Sequence, residues 1–167
     1  VSVMTHRKHK AVDTNILKTF GVFVILGVLL GTYMAALLNT KSLVLFFAVV
    51  VYFFGGYLLI VNQELKKSKK FKFFPRAMFG FLSGFISAPM GIGGAVMNVP
   101  ILKFFGYSIN KAIGSAAAIG FLIAVFGAIG FIFSGNYLNS NLPLSIGFIN
   151  VPAFLIFIPI TTFMARI

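Results

Sequence analysis

Apolar residues gather into five long runs, separated by short polar or basic segments: Asn15–Leu38, Ser42–Val61, Arg76–Phe105, Lys111–Ser134 and Pro143–Ala165. Four of them have the ~20–25 residues that cross a ~30 Å hydrocarbon core at about 1.5 Å per residue. Each run is predicted to be helical, because an open backbone in lipid would leave its N–H and C=O groups unpaired. The runs are apolar on every side and leave no amphipathic face to read. The pattern predicts an all-α integral membrane protein, a polytopic helical bundle.

The third run departs from the pattern. It is longer than a single crossing needs, and its middle reads Ser87-Ala88-Pro89-Met90-Gly91-Ile92-Gly93-Gly94. Proline removes a helix donor, and three glycines in four positions favour non-helical backbone. Two half-helices are therefore expected, Ala77–Ala88 and Ala95–Phe105, joined by a glycine-rich break. Each is too short to cross, so the run is expected to be a discontinuous or re-entrant pair. The segment Gly31-Thr32-Tyr33-Met34-Ala35 is echoed by Thr161-Thr162-Phe163-Met164-Ala165 at an offset of 130 residues. Two related halves fit a two-repeat transporter fold. Residues 1–75 would then be the remainder of the first repeat and 76–167 most of the second, in one incomplete transmembrane domain. The opening at Val1 and the end within an apolar run read as a fragment of a longer chain.

Composition sharpens this picture. Hydrophobic residues make up 59% of the 167 and charged residues 10%, with mean hydropathy +1.03, too few charges to dress a soluble surface. Fourteen Lys and Arg against two acids give a net charge of +12, which raises the question of nucleic acid. The basic residues lie between and at the ends of the apolar runs, clustered at Arg7–Lys18 and Lys66–Arg76. That is the positive-inside pattern, with affinity for anionic headgroups, and no nucleic-acid partner is expected. No cysteine is present, which excludes thiolate metal sites and a Cys nucleophile within this stretch. The first apolar run is too long for a signal-peptide core and lacks a small-residue cleavage site.

Ionisable chemistry is confined to the loops. Both acids, Asp13 and Glu64, and both histidines, His6 and His9, sit in or beside basic segments. No catalytic triad, carboxylate pair or metal cluster can be assembled at depth, so neither an enzyme nor a cofactor is expected. The glycine break is the main functional signal. A helix that restarts inside a membrane presents unpaired N–H groups and the positive end of its dipole. Glycines let a small anion approach that backbone closely. The candidate substrate-binding residues are Ser87, Pro89, Gly91, Gly93, Gly94, Asn98 and Ser115. The plainer reading of the glycines is close helix packing. That reading is taken for the Gly27/Gly31 pair and for the Ala116, Gly120, Ala124, Ala128 stripe. Pro152 and Pro159 are expected to kink the last run. A transporter for a small anion leads; a membrane scaffold subunit and a membrane enzyme are the alternatives.

The segment from Gly84 to Ala95, followed by Pro100, resembles the glycine-rich signature of the sulfite exporter TauE/SafE family. Ala112-Ile113-Gly114-Ser115-Ala116 resembles that family's Ala-x-Gly-Thr-Ser segment. Gly147-Phe148-Ile149-Asn150-Val151-Pro152-Ala153 resembles its penultimate span. Ala95 replaces the family's third consecutive glycine, and Ser115 its threonine. The resemblance implies a multi-pass permease of the bacterial inner membrane that exports small sulfur-containing anions such as sulfite or organosulfonates. Its partners would be that anion and the lipid bilayer.

Overall fold

The computed structural model describes residues 14–60, 73–91, 93–138 and 143–164. Most of the basic residues, both histidines, both acids and the loop at 139–142 lie outside the described residues.

The first apolar run forms α1 (Thr14–Thr19) and α2 (Gly21–Leu37). Phe20 between them keeps right-handed helical dihedrals, and the bonds Phe20 N–H to Ile16 O (2.8 Å) and Val24 N–H to Phe20 O (3.1 Å) carry the helix through. The second run is α3 (Thr40–Ile60), started by Asn39, whose Oδ1 accepts from Ser42 N–H at 2.8 Å, a side-chain N-cap. The third run is divided as expected, into α4 (Phe73–Met90) and α5 (Ala95–Phe104). The fourth is α6 (Ile109–Tyr137), whose 29 residues are long and apolar enough to cross a membrane. Gly21–Leu37, Thr40–Phe53, Ala95–Phe104 and Val151–Met164 are shorter apolar helices.

The last run differs from its expected form. Only Val151–Met164 (α7) is helical. The residues before it make a small hairpin, β1 (Ser145–Ile146) with β2 (Ile149–Asn150). Local chemistry explains this: Leu144 and Gly147 hold φ of 56° and 59°, outside any right-handed helix. Positive φ at the first of two central residues is the turn that suits a tight antiparallel hairpin. Asn150 then caps α7 by accepting from Ala153 N–H at 3.0 Å, and Pro152 sits in the first turn, where its missing N–H costs little.

Glycines set the packing. Gly27 and Gly31 of α2 lie against the Phe81 and Phe85 backbone of α4, Gly80 and Gly84 of α4 lie against Phe20 and Val24 of the facing helix, and a methyl on Gly27 or Gly84 would run into the backbone of Phe81 or Val24. The predicted Gly27/Gly31 seam is thus real, and α4 answers it with a second small-xxx-small pair. Phe20 faces Gly80, Val24 faces Gly84 and Gly31 faces Phe85, so the two helices run parallel. α6 also runs along α2, with Gly127 against Val28 and Gly130 against Thr32.

The predicted i+4 stripe on α6 holds only in part. Ala116 is buried and Gly120 packs on Gly94, but Ala124 is exposed. At 3.6 residues per turn, steps of four drift round the helix by about 40° each. The true seam corrects that drift with steps of three, through Ala116, Ile119, Ile123, Gly127 and Gly130, all buried.

The core joins Ile16, Phe20, Val24 and Val28 to Ala88, Leu102, Phe105, Ala112, Ala116, Ile119 and Ile123. The outer faces are apolar too: Leu45, Tyr52, Phe133 and Phe157 are mostly exposed, and α7 buries none of its residues. Apolar faces of that extent suit lipid or further helices, not water.

Candidate functional site at the α4–α5 break

α4 and α5 form an antiparallel hairpin. Phe79 near the start of α4 packs on Phe104 (6.4 Å between rings) and Phe105 (5.9 Å) at the end of α5. Between those ends and the break, Ser83 donates to Asn98 Oδ1 (2.5 Å) and Ser87 Oγ approaches Met97 Sδ (3.6 Å). Contacts in this order require the chain to reverse at the break and return to where it entered.

The reversal occurs at Gly91, Gly93 and Gly94. Gly91 has φ +61°, a conformation L side chains rarely adopt, and its N–H bonds Ala88 O at 3.3 Å. α4 remains helical through Pro89 to Met90, two residues beyond the expected end at Ala88. Pro89 cannot donate to the Phe85 carbonyl, and that carbonyl lies against Gly31 of α2. The proline's vacant bond therefore falls at the α2–α4 crossing.

α5 begins without a side-chain cap. Gly94 is its N-cap residue and offers none, and the first helical bond is Asn98 N–H to Gly94 O at 2.9 Å. The N–H groups that open a helix have no intrahelical acceptor. Here they carry the positive end of the α5 dipole towards the break.

The glycines occupy different surroundings. A methyl on Gly94 would stand 2.8 Å from Asn98 Nδ2 and 3.0 Å from the Gly120 backbone, so Gly94 is needed for packing on α6. Gly93 is exposed, and a methyl there would meet nothing described within 4 Å. No described neighbour requires glycine at Gly93.

Beneath the break lies a buried polar set. Ser83, Asn98 and Ser115 are 0% exposed and Ser87 1%. Asn98 uses its oxygen on Ser83, while its Nδ2 is buried without a hydrogen-bond partner, an unfavourable state for a donor. Ser115 is buried in α6, about a turn and a half before Gly120. The structure thus brings Ser87, Pro89, Gly91, Gly93, Gly94 and Asn98 together around the break and places Ser115 on the neighbouring helix. Ser83 and the close approach of Gly120 were not anticipated. Ser83 lies four residues before Ser87 in an otherwise apolar run, a same-face polar pair that sequence could have flagged. The described basic residues, Lys18, Lys41, Arg76, Lys103 and Lys111, all stand at or near helix ends. Among the described residues no group of three His, Asp or Glu could hold a metal.

Helices this apolar, packed through glycine seams around one broken pair, define an all-α integral membrane protein. A model of the sulfite exporter TauE/SafE family matches residues 1–167, and the chain belongs to that family. Among curated proteins it is similar to a probable membrane transporter protein of Haemophilus influenzae, 43% identical over 77 residues, covering 46% of this chain and 29% of the relative. A probable membrane transporter protein of Methanocaldococcus jannaschii is 25% identical over 161 residues, covering 93% of this chain and 58% of the relative. The chain therefore spans less than two thirds of the length of either relative. Both names are those of transporters and not of enzymes, in agreement with the expectation drawn from the loop-bound ionisable residues. No solved structure matches the chain significantly.

Proposed function

We propose that the protein is a multi-pass permease that exports small sulfur-containing anions such as sulfite or organosulfonates across a bacterial inner membrane. In this reading the α4–α5 hairpin enters the membrane and returns, so that the break lies near the midplane. The anion sits against the uncapped first turn of α5, reached over Gly93. Gly91 and Pro89 shape the turn, Gly94 seats it on α6, and Ser87, Asn98 and Ser115 line the polar floor behind it. Residues 1–75 and 76–167 belong to two inverted repeats, the arrangement in which half-helix N-termini commonly face anionic groups.

The observation that carries the proposal is the uncapped start of α5 beside a glycine that the fold does not need. A scaffold would need glycine at Gly94, Gly84 and Gly27, but has no use for one at Gly93. The direct test is the thermal stability of the full-length protein with sulfite, a short alkylsulfonate, chloride and a neutral sulfone as ligands. Binding to the native state raises stability by mass action. Stabilisation by the sulfur oxyanions and not by the neutral sulfone is expected, and equal indifference to all four ligands would sink the assignment.

A further inference from the structure

Behind the break, one buried donor is left over. Asn98 sits one turn into α5, and side chains on a helix lean towards its N-terminus, which carries the amide back over Gly94. A methyl on Gly94 would stand 2.8 Å from Nδ2. The amide oxygen takes the Ser83 hydroxyl at 2.5 Å, whereas Nδ2 is buried without a hydrogen-bond partner. Packing alone does not account for such a half-paired amide, since alanine at position 83 with leucine at position 98 would leave no polar group unpaired. Apolar side chains suit this helix, where Met97 and Leu102 are the other buried residues. The start of α5 thus combines an uncapped first turn with a side-chain donor directed at that turn.

We propose that Ser83 is a positioning residue of the anion site, holding the Asn98 amide by its oxygen so that Nδ2 is the donor an anion meets. This role rests on the anion reading of the break and extends it to the opposite half-helix, since Ser83 belongs to α4 and Asn98 to α5. With its oxygen committed to Ser83, the amide has only its NH2 to offer elsewhere. In the described conformation Gly94, seated on the Gly120 backbone, covers that NH2. The cover consists of two bare glycines with no side chain to interlock. A displacement of Gly94 from Gly120 uncovers the donor at the turn where the N–H groups of Ala95, Val96 and Met97 have no intrahelical acceptor. An anion bound there gains one further donor, and the amide gains the partner it lacks, which offsets parting the two glycines. Ser83 therefore sets affinity through Asn98 and touches no ligand itself.

The test uses the full-length protein in neutral detergent and reads the Kd of methanesulfonate, whose oxygens only accept. Wild type, Ser83→Ala, Asn98→Leu and the double variant are compared, with Tm recorded alongside. Asn98→Leu should weaken binding about tenfold, the loss of one hydrogen bond to a charged acceptor. Ser83→Ala should weaken it several-fold alone and not at all beside Asn98→Leu, the non-additivity of a residue that acts through another. Gly120→Ala places a methyl 3.2 Å from Gly94 N, which should loosen the cover and tighten binding. Unchanged affinity in Ser83→Ala, with only its Tm lowered, gives the bond to the fold alone and overturns the proposal while the break keeps its anion. Equal losses from Ser83→Ala in both backgrounds overturn it as well. Unchanged or weaker binding by Gly120→Ala means that the cover does not part, with the same result. Indifference of the wild type to methanesulfonate, sulfite and chloride alike sinks it together with the anion reading. Should Ser83→Ala fail to fold, Ser83→Cys decides, because a thiol fills the same space but is a weak donor: wild-type affinity in that variant rejects the positioning role.

Discussion

At the scale of single residues, the three glycines of the break do different work, and their surroundings separate them. Gly91 holds a left-handed backbone, so Gly91→Ala should destabilise by about 1 kcal/mol through strain alone. Gly94 fills the gap to the Gly120 backbone, and overpacking there should cost ~1–3 kcal/mol. Gly93 faces open space, so Gly93→Val should fold, insert and melt like the wild type while losing anion export. A Gly93→Val protein that exports normally would remove this residue from the site. A loss of export accompanied by a fall in Tm would point to a structural role instead. The Ser83–Asn98 bond offers a second measurement. Ser83→Ala leaves both polar ends of a buried amide unpaired, and should lower stability by about 1 kcal/mol in a membrane setting. Asn98→Leu removes the unpaired donor together with the acceptor. It should therefore be better tolerated in stability than Ser83→Ala, while export suffers more, because the polar floor of the break is gone.

At the scale of elements, the sequence was legible where backbone chemistry is local. Proline and glycine within residues 87–94 announced two half-helices, and the observed α4 and α5 differ from the expected ones only at their ends. α4 starts earlier, at Phe73, and runs through Pro89, since a proline in the final turn forfeits one bond at the Phe85 carbonyl without blocking the helix. The hairpin at 145–150 was not legible, because its signal is the positive φ of Leu144 as well as Gly147, and leucine gives no warning of that conformation. The partner of the Gly27/Gly31 seam was equally hidden: spacing identifies a groove but not the helix that fills it. That crossing supplies a sharp expectation. Gly27→Val and Gly84→Val each drive a side chain into facing backbone and should sharply lower Tm. Ala124→Val, at the one exposed position of the predicted stripe, should stay within about 0.5 kcal/mol of wild type.

At the scale of the whole molecule, the direction of α4 and α5 fixes which helix ends share a side. α2 and α4 run parallel, so Lys18, just before α2, and Arg76, in the first turn of α4, stand at one end. Phe105 packs on both Phe20 and Phe79, so α5 ends at that same end, and Lys103 and Lys111 stand there as well. α6 then runs parallel to α2 and carries Tyr137 to the opposite end, where of the described basic residues only Lys41 stands. Had α5 continued in the direction of α4, Lys103 and Lys111 would have joined Lys41, and the described basic residues would no longer favour the Lys18 and Arg76 end. By the positive-inside rule, the Lys18, Arg76, Lys103 and Lys111 end is expected to face the cytoplasm. The absence of cysteine from this chain makes the assignment simple to check. Ser108 and Tyr137 are exposed at opposite ends of α6, and single cysteines can be placed at each in the full-length protein. In intact cells, an impermeant maleimide should label the Tyr137→Cys protein and spare the Ser108→Cys protein until the membrane is opened. Labelling of Ser108→Cys from outside, with Tyr137→Cys protected, would place the basic end outside. Labelling of both from outside would mean that α6 does not cross, and with it the placement of the break at mid-membrane would fall.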